Sequence, residues 1–340
     1  MRKMKQVLIT GSAGFIGSHF VAHLLAQNNE VRVYSYDKLT YAGNLENLKP
    51  VAENPRHVFI QGDINDAALV RSTLRKYNID TIVHFAAESH VDNSIATPAI
   101  FFETNLMGTV NLLQAAKEYW LDEQNWSSDQ CRFHHISTDE VYGSLSHEDP
   151  PFTETTPYSP NSPYAASKAA SDHAVRAYGK TFALPITLSN CSNNYGPHQH
   201  AEKLIPTVIR CCLEAKPIPV YGNGLNCRDW LYVEDHCVAI HRILEKGQVG
   251  EMYNIGGGYE VDNLTLIKNI CALMDKIYSQ KAPHADLIHF VTDRKGHDFR
   301  YAIDNTKIHQ ALDWQPKTDP MIGLKQTIDF YITAYARGVV

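Results

Sequence analysis

The 340-residue chain predicts an α/β protein: a doubly wound parallel sheet followed by a smaller C-terminal α/β lobe. Three observations carry this. Short apolar strands alternate with helical stretches through the first half. A glycine-rich loop separates the first strand from the first helix. Beyond residue 190 the alternation turns irregular and Pro and Gly become frequent (Pro197, Pro206, Pro217, Pro219, Gly222, Gly224, Gly256 to Gly258).

Gln6–Thr10 (QVLIT) reads as a buried strand. The loop Gly11-Ser12-Ala13-Gly14-Phe15-Ile16-Gly17 follows, and residues 18–28 then place Phe20, Val21, Leu24 and Leu25 at helical spacing. Strand, glycine loop and helix in that order make a dinucleotide site of the Rossmann type. Gly11 permits a sharp turn, Gly14 lets backbone N–H groups approach a pyrophosphate, and Gly17 lets the helix pack against the strand. The helix N-terminus turns its positive end to the phosphates. The spacing is GxxGxxG rather than GxGxxG. The second strand, 31–36, ends at Asp37, which suits the two ribose hydroxyls of NAD and repels the extra phosphate of NADP. Lys38 comes next and keeps NADP open as the alternative.

A third strand at 57–61 runs into Gly62, Asp63 and Ile64, and a helix is expected at 66–77. A fourth strand, 81–85, leads to Ala86, Ala87, Glu88 and Ser89, followed by a helix at 98–120. A fifth, 132–137, ends at Thr138-Asp139-Glu140, and a sixth, at 185–189, follows a helix at 164–181. Ligands of such sheets bind beyond the carboxyl ends of the strands. Asp37, Asp63, Ser89 and the 138–140 triplet all fall there. Residues 1–190 are therefore expected to form the nucleotide domain, with later segments returning to it, and 191–340 mainly a substrate lobe.

Tyr164 and Lys168 stand four apart, on one face of a helix. A free phenol ionises near pH ~10, and a neighbouring ammonium favours the phenolate. The pair therefore suits removal of a hydroxyl proton while hydride leaves the same carbon. Asp139 and Glu140 add two proton carriers, more than an alcohol oxidation needs. An elimination needs one acid and one base at once, and two carboxyls divide those roles if their surroundings separate their pKa values. The bland alternative is a solvated turn after a strand.

A net charge of −6 with no basic stripe argues against a general nucleic-acid binder. No apolar run approaches the ~18 residues of a membrane span. The basic MRKMKQ start passes directly into the first strand and glycine loop, so no signal peptide is expected. The seven cysteines show no CxxC pair and fit free thiols in a cytoplasmic protein. Among 17 histidines there is no HExxH, and no metal role is expected.

These segments resemble the extended short-chain dehydrogenase/reductase family and, within it, the dTDP-glucose 4,6-dehydratases. The resemblance runs through TGSAGFIGSHF (10–20), YDKLTYAGNLENL (36–48), HFAAESHVDNSI (84–95) and HHISTDEVYGSL (134–145). It continues through FTETTPYSPNSPYAASKAASDH (152–173), NCSNNYGP (190–197), EKLIP (202–206), RDWLYVEDH (228–236), YNIGGG (253–258) and DRKGHDFRYAID (293–304). STDEVYG and GHDxRYAID are its most specific parts. Lys295 and Phe299 stand where the family often shows Pro and Arg, and the 144–152 loop is short.

The resemblance implies a three-stage reaction with NAD retained. Tyr164 takes the 4-hydroxyl proton of glucose as carbon 4 loses hydride, with Thr138 bonded to that hydroxyl and Lys168 holding the ribose and acidifying the phenol. Glu140 then removes the carbon-5 proton while Asp139 protonates the departing 6-hydroxyl. Hydride then returns to carbon 6 and carbon 5 is reprotonated, leaving a 4-keto-6-deoxy sugar nucleotide. Beside the loop residues Gly11, Gly14, Phe15, Ile16 and Gly17, the resemblance implies cofactor contacts from Asp37, Lys38, Leu39 and Thr40. Asp63, Ile64, Phe85, Ala86 and Ala87 join them, with Ser89, Thr104 and Asn194 and the Tyr164–Lys168 pair itself. For the sugar nucleotide it implies Ser89, Thr138, Asn193, Lys203 and Leu204, then Pro219, Val220 and Tyr221 at the base. Arg228, Asn263, Asp293, Arg294 and His297 complete that set. It further implies a homodimer built from the helices near 98–120 and 164–181. The alternatives are a UDP-glucose 4,6-dehydratase, or a 4-epimerase or decarboxylase of nucleotide sugars, which has no need of the 139–140 pair. A scaffold or redox sensor without turnover would have lost the Tyr, Lys, Asp or Glu.

Overall fold

The computed structural model describes residues 2–293 and 296–338. A seven-stranded, wholly parallel sheet forms its centre. Its strands are β1 (Gln6–Thr10), β2 (Arg32–Asp37), β3 (His57–Gln61), β4 (Thr81–His84), β5 (Arg132–Thr138), β6 (Ile186–Cys191) and β10 (Met252–Ile255). Across the sheet the order is β10-β6-β5-β4-β1-β2-β3. Strand order reverses between β1 and β4, where a ligand crevice opens.

β1 and β4 are apolar because helices cover both faces. β5, RFHHIST, is fully buried although most of its residues are polar. It survives because neighbours satisfy it. His134 Nδ1 meets Thr187 Oγ1 at 2.9 Å, and the Ser137 hydroxyl donates to Asp172 Oδ2 at 2.7 Å.

The helical reading of 98–120 needs correction in detail. The segment from Pro98 to Glu123 winds as α-helix but loosens into i→i+5 turns over Phe102–Gly108 and Lys117–Glu123. Helix Pro163–Phe182 begins as an N-terminal motif requires: Pro163 occupies its first turn and the Ser162 hydroxyl accepts the Ala165 N–H at 3.1 Å.

The chain after 190 contributes to both parts of the molecule. β10 extends the main sheet beside β6. Helix Val233–Lys246 lays Cys237, Ile240 and Leu244 against Phe20, Val21 and Leu24 of helix Phe15–Gln27. The remainder surrounds a second apolar core built on Ile205, Val208, Leu266, Ile270, Leu324 and Ile328. A small sheet there joins β7 (Asn193–Tyr195), β9 (Cys227–Tyr232) and β11 (Glu260–Asp262). β8 (Ile218–Tyr221) pairs in parallel with β12 (Ile288–Val291).

Candidate active site

A cavity of about 1160 Å³ opens at the carboxyl ends of the parallel strands. It is large for one small molecule and suits a dinucleotide with a second ligand beside it. The glycine loop forms one wall. Gly11 adopts φ +67°, and a Cβ on it would lie 2.6 Å from the Ala86 nitrogen. Gly14 precedes helix Phe15–Gln27, whose N-terminus has no side-chain cap and no acid in its first turn. Its leading N–H groups are thus left to an anion.

Asp37 closes β2 with both oxygens held: Oδ2 accepts the Ala13 N–H at 2.9 Å and Oδ1 the Leu39 N–H at 2.8 Å. Lys38 turns to Asp63, with Nζ 2.7 Å from Oδ2. Gly14, Phe15, Ile16, Gly17, Thr40, Asp63, Ile64, Phe85, Ala86, Ala87, Ser89, Thr104 and Asn194 line the same cavity. Leu39 does not; it packs under the loop at φ +59° and serves through its backbone.

Thr138, Asp139, Glu140, Tyr164 and Lys168 all line this cavity. A tight turn, Asp139–Tyr142, follows β5, and the Thr138 hydroxyl caps it by accepting the Glu140 N–H at 3.3 Å. Capping and cavity lining are therefore one role for Thr138. Asp139 is only 2% exposed, and its Oδ2 finds no hydrogen-bond partner. Burial drives its pKa far above the usual carboxylate range, and the Glu140 and Asp229 charges add to it. Its surroundings therefore favour the neutral acid.

The Tyr164–Lys168 pair differs from the simple expectation. Burial pushes the phenol well up, and Glu140 and Asp139 push it further, while the Thr138 hydroxyl opposes them. Lys168 Nζ donates instead to the Ile136 carbonyl at 2.7 Å and lies 3.5 Å from His135 Nε2. A buried ammonium takes the nearest carbonyl, so the phenol gains little from it in this state. Cys191 and Tyr41 also line the cavity, although no sequence pattern singles them out.

Of the residues expected at the sugar nucleotide, Ser89, Thr138, Asn193 and Lys203 reach the cavity. Lys203 Nζ donates to the Ser89 carbonyl at 3.1 Å. Leu204, Pro219, Val220, Tyr221, Arg228, Asn263, Asp293 and His297 lie outside it. Arg228 is buried; its guanidinium donates to the carbonyls of Cys227 (2.7 Å) and Asp298 (2.9 Å) and stacks 4.3 Å from the Tyr301 ring centre. His297 Nδ1 meets Asp293 Oδ1 at 2.6 Å. Arg294 lies outside the described residues.

The fold and the cavity are those of a dinucleotide-binding enzyme of the extended short-chain dehydrogenase/reductase class. The family model described as GDP-mannose 4,6 dehydratase matches residues 8–327. The dTDP-glucose 4,6-dehydratase of Neisseria meningitidis serogroup B is 51% identical over 333 residues, 97% of this chain and 94% of that one. The dTDP-glucose 4,6-dehydratase DesIV of Streptomyces venezuelae, solved with NAD and a second ligand, superposes with TM-score 0.88 at 44% identity, covering 98% of each chain. That of Bacillus anthracis, in complex with NAD, gives 0.87 at 41%, covering 99% of this chain and all of the other. The chain belongs to the dTDP-glucose 4,6-dehydratase family.

Proposed function

We propose that this protein is a NAD-dependent dTDP-glucose 4,6-dehydratase, a hydro-lyase that converts dTDP-glucose to the 4-keto-6-deoxy sugar nucleotide. One observation carries the reading: a buried carboxyl with one unpartnered oxygen, Asp139, shares a cavity with a second carboxyl and with the Tyr164 phenol. An epimerase or decarboxylase has no use for that acid.

The uncapped helix, the glycine loop and Asp37 fit NAD: N–H groups for the pyrophosphate and a fixed carboxylate for ribose hydroxyls. NAD, when bound, supplies the hydride acceptor at carbon 4 and the hydride donor at carbon 6. Tyr164 holds the proton at the 4-oxygen and Thr138 orients that hydroxyl. The resulting ketone acidifies the carbon-5 proton, which Glu140 removes. Asp139 delivers its proton to the 6-oxygen, so the group departs as water rather than hydroxide. Lys168 supplies positive charge beneath the phenol. We assign the cofactor mainly to 1–190 and the sugar nucleotide mainly to 191–340, with Lys203, Asn193 and Arg228 on the nucleotide side.

Exposed Ile95, Ile100, Phe102, Met107 and Phe182 on the helical segments support a homodimer through those helices. Among the described residues no helix is long and apolar enough to cross a membrane. All seven thiols are free, which fits the cytoplasm.

Purified protein incubated with dTDP-glucose is expected to give a product that absorbs in the ultraviolet after alkali treatment. Turnover of UDP-glucose with none of dTDP-glucose would overturn the choice of nucleotide. Light scattering that gives a monomer mass would overturn the dimer.

A further inference from the structure

The helix bearing Tyr164 and Lys168 carries one more acid, Asp172, four residues past the lysine and on the same side. Nothing in the reaction above uses it. Asp172 is fully buried. Its Oδ2 accepts the Ser137 hydroxyl at 2.7 Å and the Tyr158 hydroxyl at 2.9 Å. Its Oδ1 lies 3.2 Å from His135 Nε2.

That same nitrogen lies 3.5 Å from Lys168 Nζ and 3.2 Å from Ser171 Oγ. The Ser171 hydroxyl already donates to the Lys168 carbonyl at 2.8 Å, so towards His135 its oxygen accepts. One ring nitrogen thus faces a donor, the ammonium, and one acceptor, the Ser171 hydroxyl, while Asp172 Oδ1 lies close by without making a hydrogen bond. A neutral imidazole nitrogen either donates or accepts. His135 Nδ1 has no partner to decide the tautomer. The ring is a two-state junction between Lys168 and Ser171, with the Asp172 carboxyl against the same nitrogen.

We propose that Asp172 is a positioning residue for the Tyr164–Lys168 pair: by its charge, and through the His135 junction, it keeps the lysine an ammonium and fixes where that ammonium sits. The proposal rests on the dehydratase reading of the site. A buried ammonium needs a compensating charge. Burial lowers Lys168, and Asp172 is the leading influence that restores it. In turn, burial raises Asp172 to about 6, with Lys168 the first group to hold it down. The neighbouring lysine thus favours the carboxylate form of Asp172. The other titratable groups facing this pair are His84 and His135 from the sheet, Cys191 from β6, Tyr142 and Tyr158 from the loop side, and Tyr164 on the same helix. Burial holds His84 and His135 below their ordinary values and Cys191 above its own, which favours the neutral form of each. Asp172 is thus the nearby negative charge.

The test is Asp172→Asn in the full-length enzyme, after wild-type turnover of dTDP-glucose has been measured. We expect kcat to fall about tenfold or more with KM unchanged, and the alkaline limb of kcat to move down by about one pH unit, as Lys168 loses its proton sooner. Asp172→Glu should recover part of both. Tyr158→Phe removes a hydrogen bond to the same carboxylate, on the other oxygen, and should lower the melting temperature without moving the limb. A wild-type limb in Asp172→Asn overturns the proposal, as does an equal shift in Tyr158→Phe. If Asp172→Asn does not fold, His135→Gln decides: a lowered limb upholds the proposal and an unmoved one overturns it. Nitrogen NMR of histidine-labelled protein gives a readout free of turnover. His135 Nε2 should change state as Asp172 ionises and should not do so in Asp172→Asn. If the wild type fails to dehydrate dTDP-glucose, the dehydratase reading falls and this NMR result alone decides the junction.

Discussion

The Thr138 hydroxyl lies 3.2 Å from Asp139 Oδ1, while Asp139 Oδ2, equally buried, has no partner. One oxygen is anchored and the other is left over. Such burial favours the protonated carboxyl and leaves one oxygen over for a substrate oxygen.

The division of labour between the two acids is testable. Glu140→Gln should still oxidise carbon 4 but stall before water loss, so reduced cofactor accumulates on the enzyme and is seen by its absorbance. Asp139→Asn should lower kcat by about 10²–10⁴. It should also raise the melting temperature at neutral pH. An acid whose pKa is raised by folding stabilises below its unfolded value and loses that stability as pH rises, so its removal relieves a penalty. Normal dehydration by Glu140→Gln would make the base assignment wrong.

Cofactor choice turns on Asp37 rather than Lys38. Asp37→Ala should weaken NAD by about tenfold or more, since hydrogen bonds to a charged group contribute roughly 1.5–3 kcal/mol. Lys38→Ala should leave the NAD-to-NADP ratio almost unchanged, because Asp63 already engages that ammonium. Titrating both nucleotides by tryptophan quenching checks each claim.

Gly11→Ala should abolish cofactor binding and destabilise the fold. A left-handed conformation costs a non-glycine residue about 1–2 kcal/mol. The added methyl would also strike the Ala86 backbone, which cannot swing aside as a side chain can. Thermal melting with and without NAD separates the two effects.

His236 makes the protein acid-sensitive. Burial lowers its pKa to about 3, and its ring meets the Asn194 side chain at 2.9 Å. The unfolded chain takes up a proton below about pH 6.5 and the folded chain does not, so stability present above that pH is lost as pH falls. The full effect is on the order of 5 kcal/mol. His236→Gln should flatten the pH dependence of urea midpoints between about pH 3 and 6.5, and an unchanged slope would contradict this account.

Much of the nucleotide-binding half was legible because β1 and β4 carry short apolar cores, Val7-Leu8-Ile9 and Ile82-Val83, and the glycine loop sits between a strand and a helix. β10 was harder. MYNI is four residues long, far along the chain, and looks like any short apolar patch until β6 offers it an edge. His135 and Asp172 were invisible for another reason. Polar residues inside a buried strand and helix carry no periodic signal, and their meaning lies in cross-element hydrogen bonds. Lys168 was legible as a residue but not in its orientation, which the Ile136 carbonyl decides. The residues on β8 that the resemblance puts at the base lie apart from the main cavity.

The outermost strand beside β6 and the helix against Phe15–Gln27 both arrive after residue 230. During synthesis, then, the ribosome releases a half-built cofactor platform with a bare edge and a greasy flank. It must wait for some 60 further residues before it can close. A gene cut after residue 190 would yield an aggregating fragment rather than a small nucleotide-binding protein.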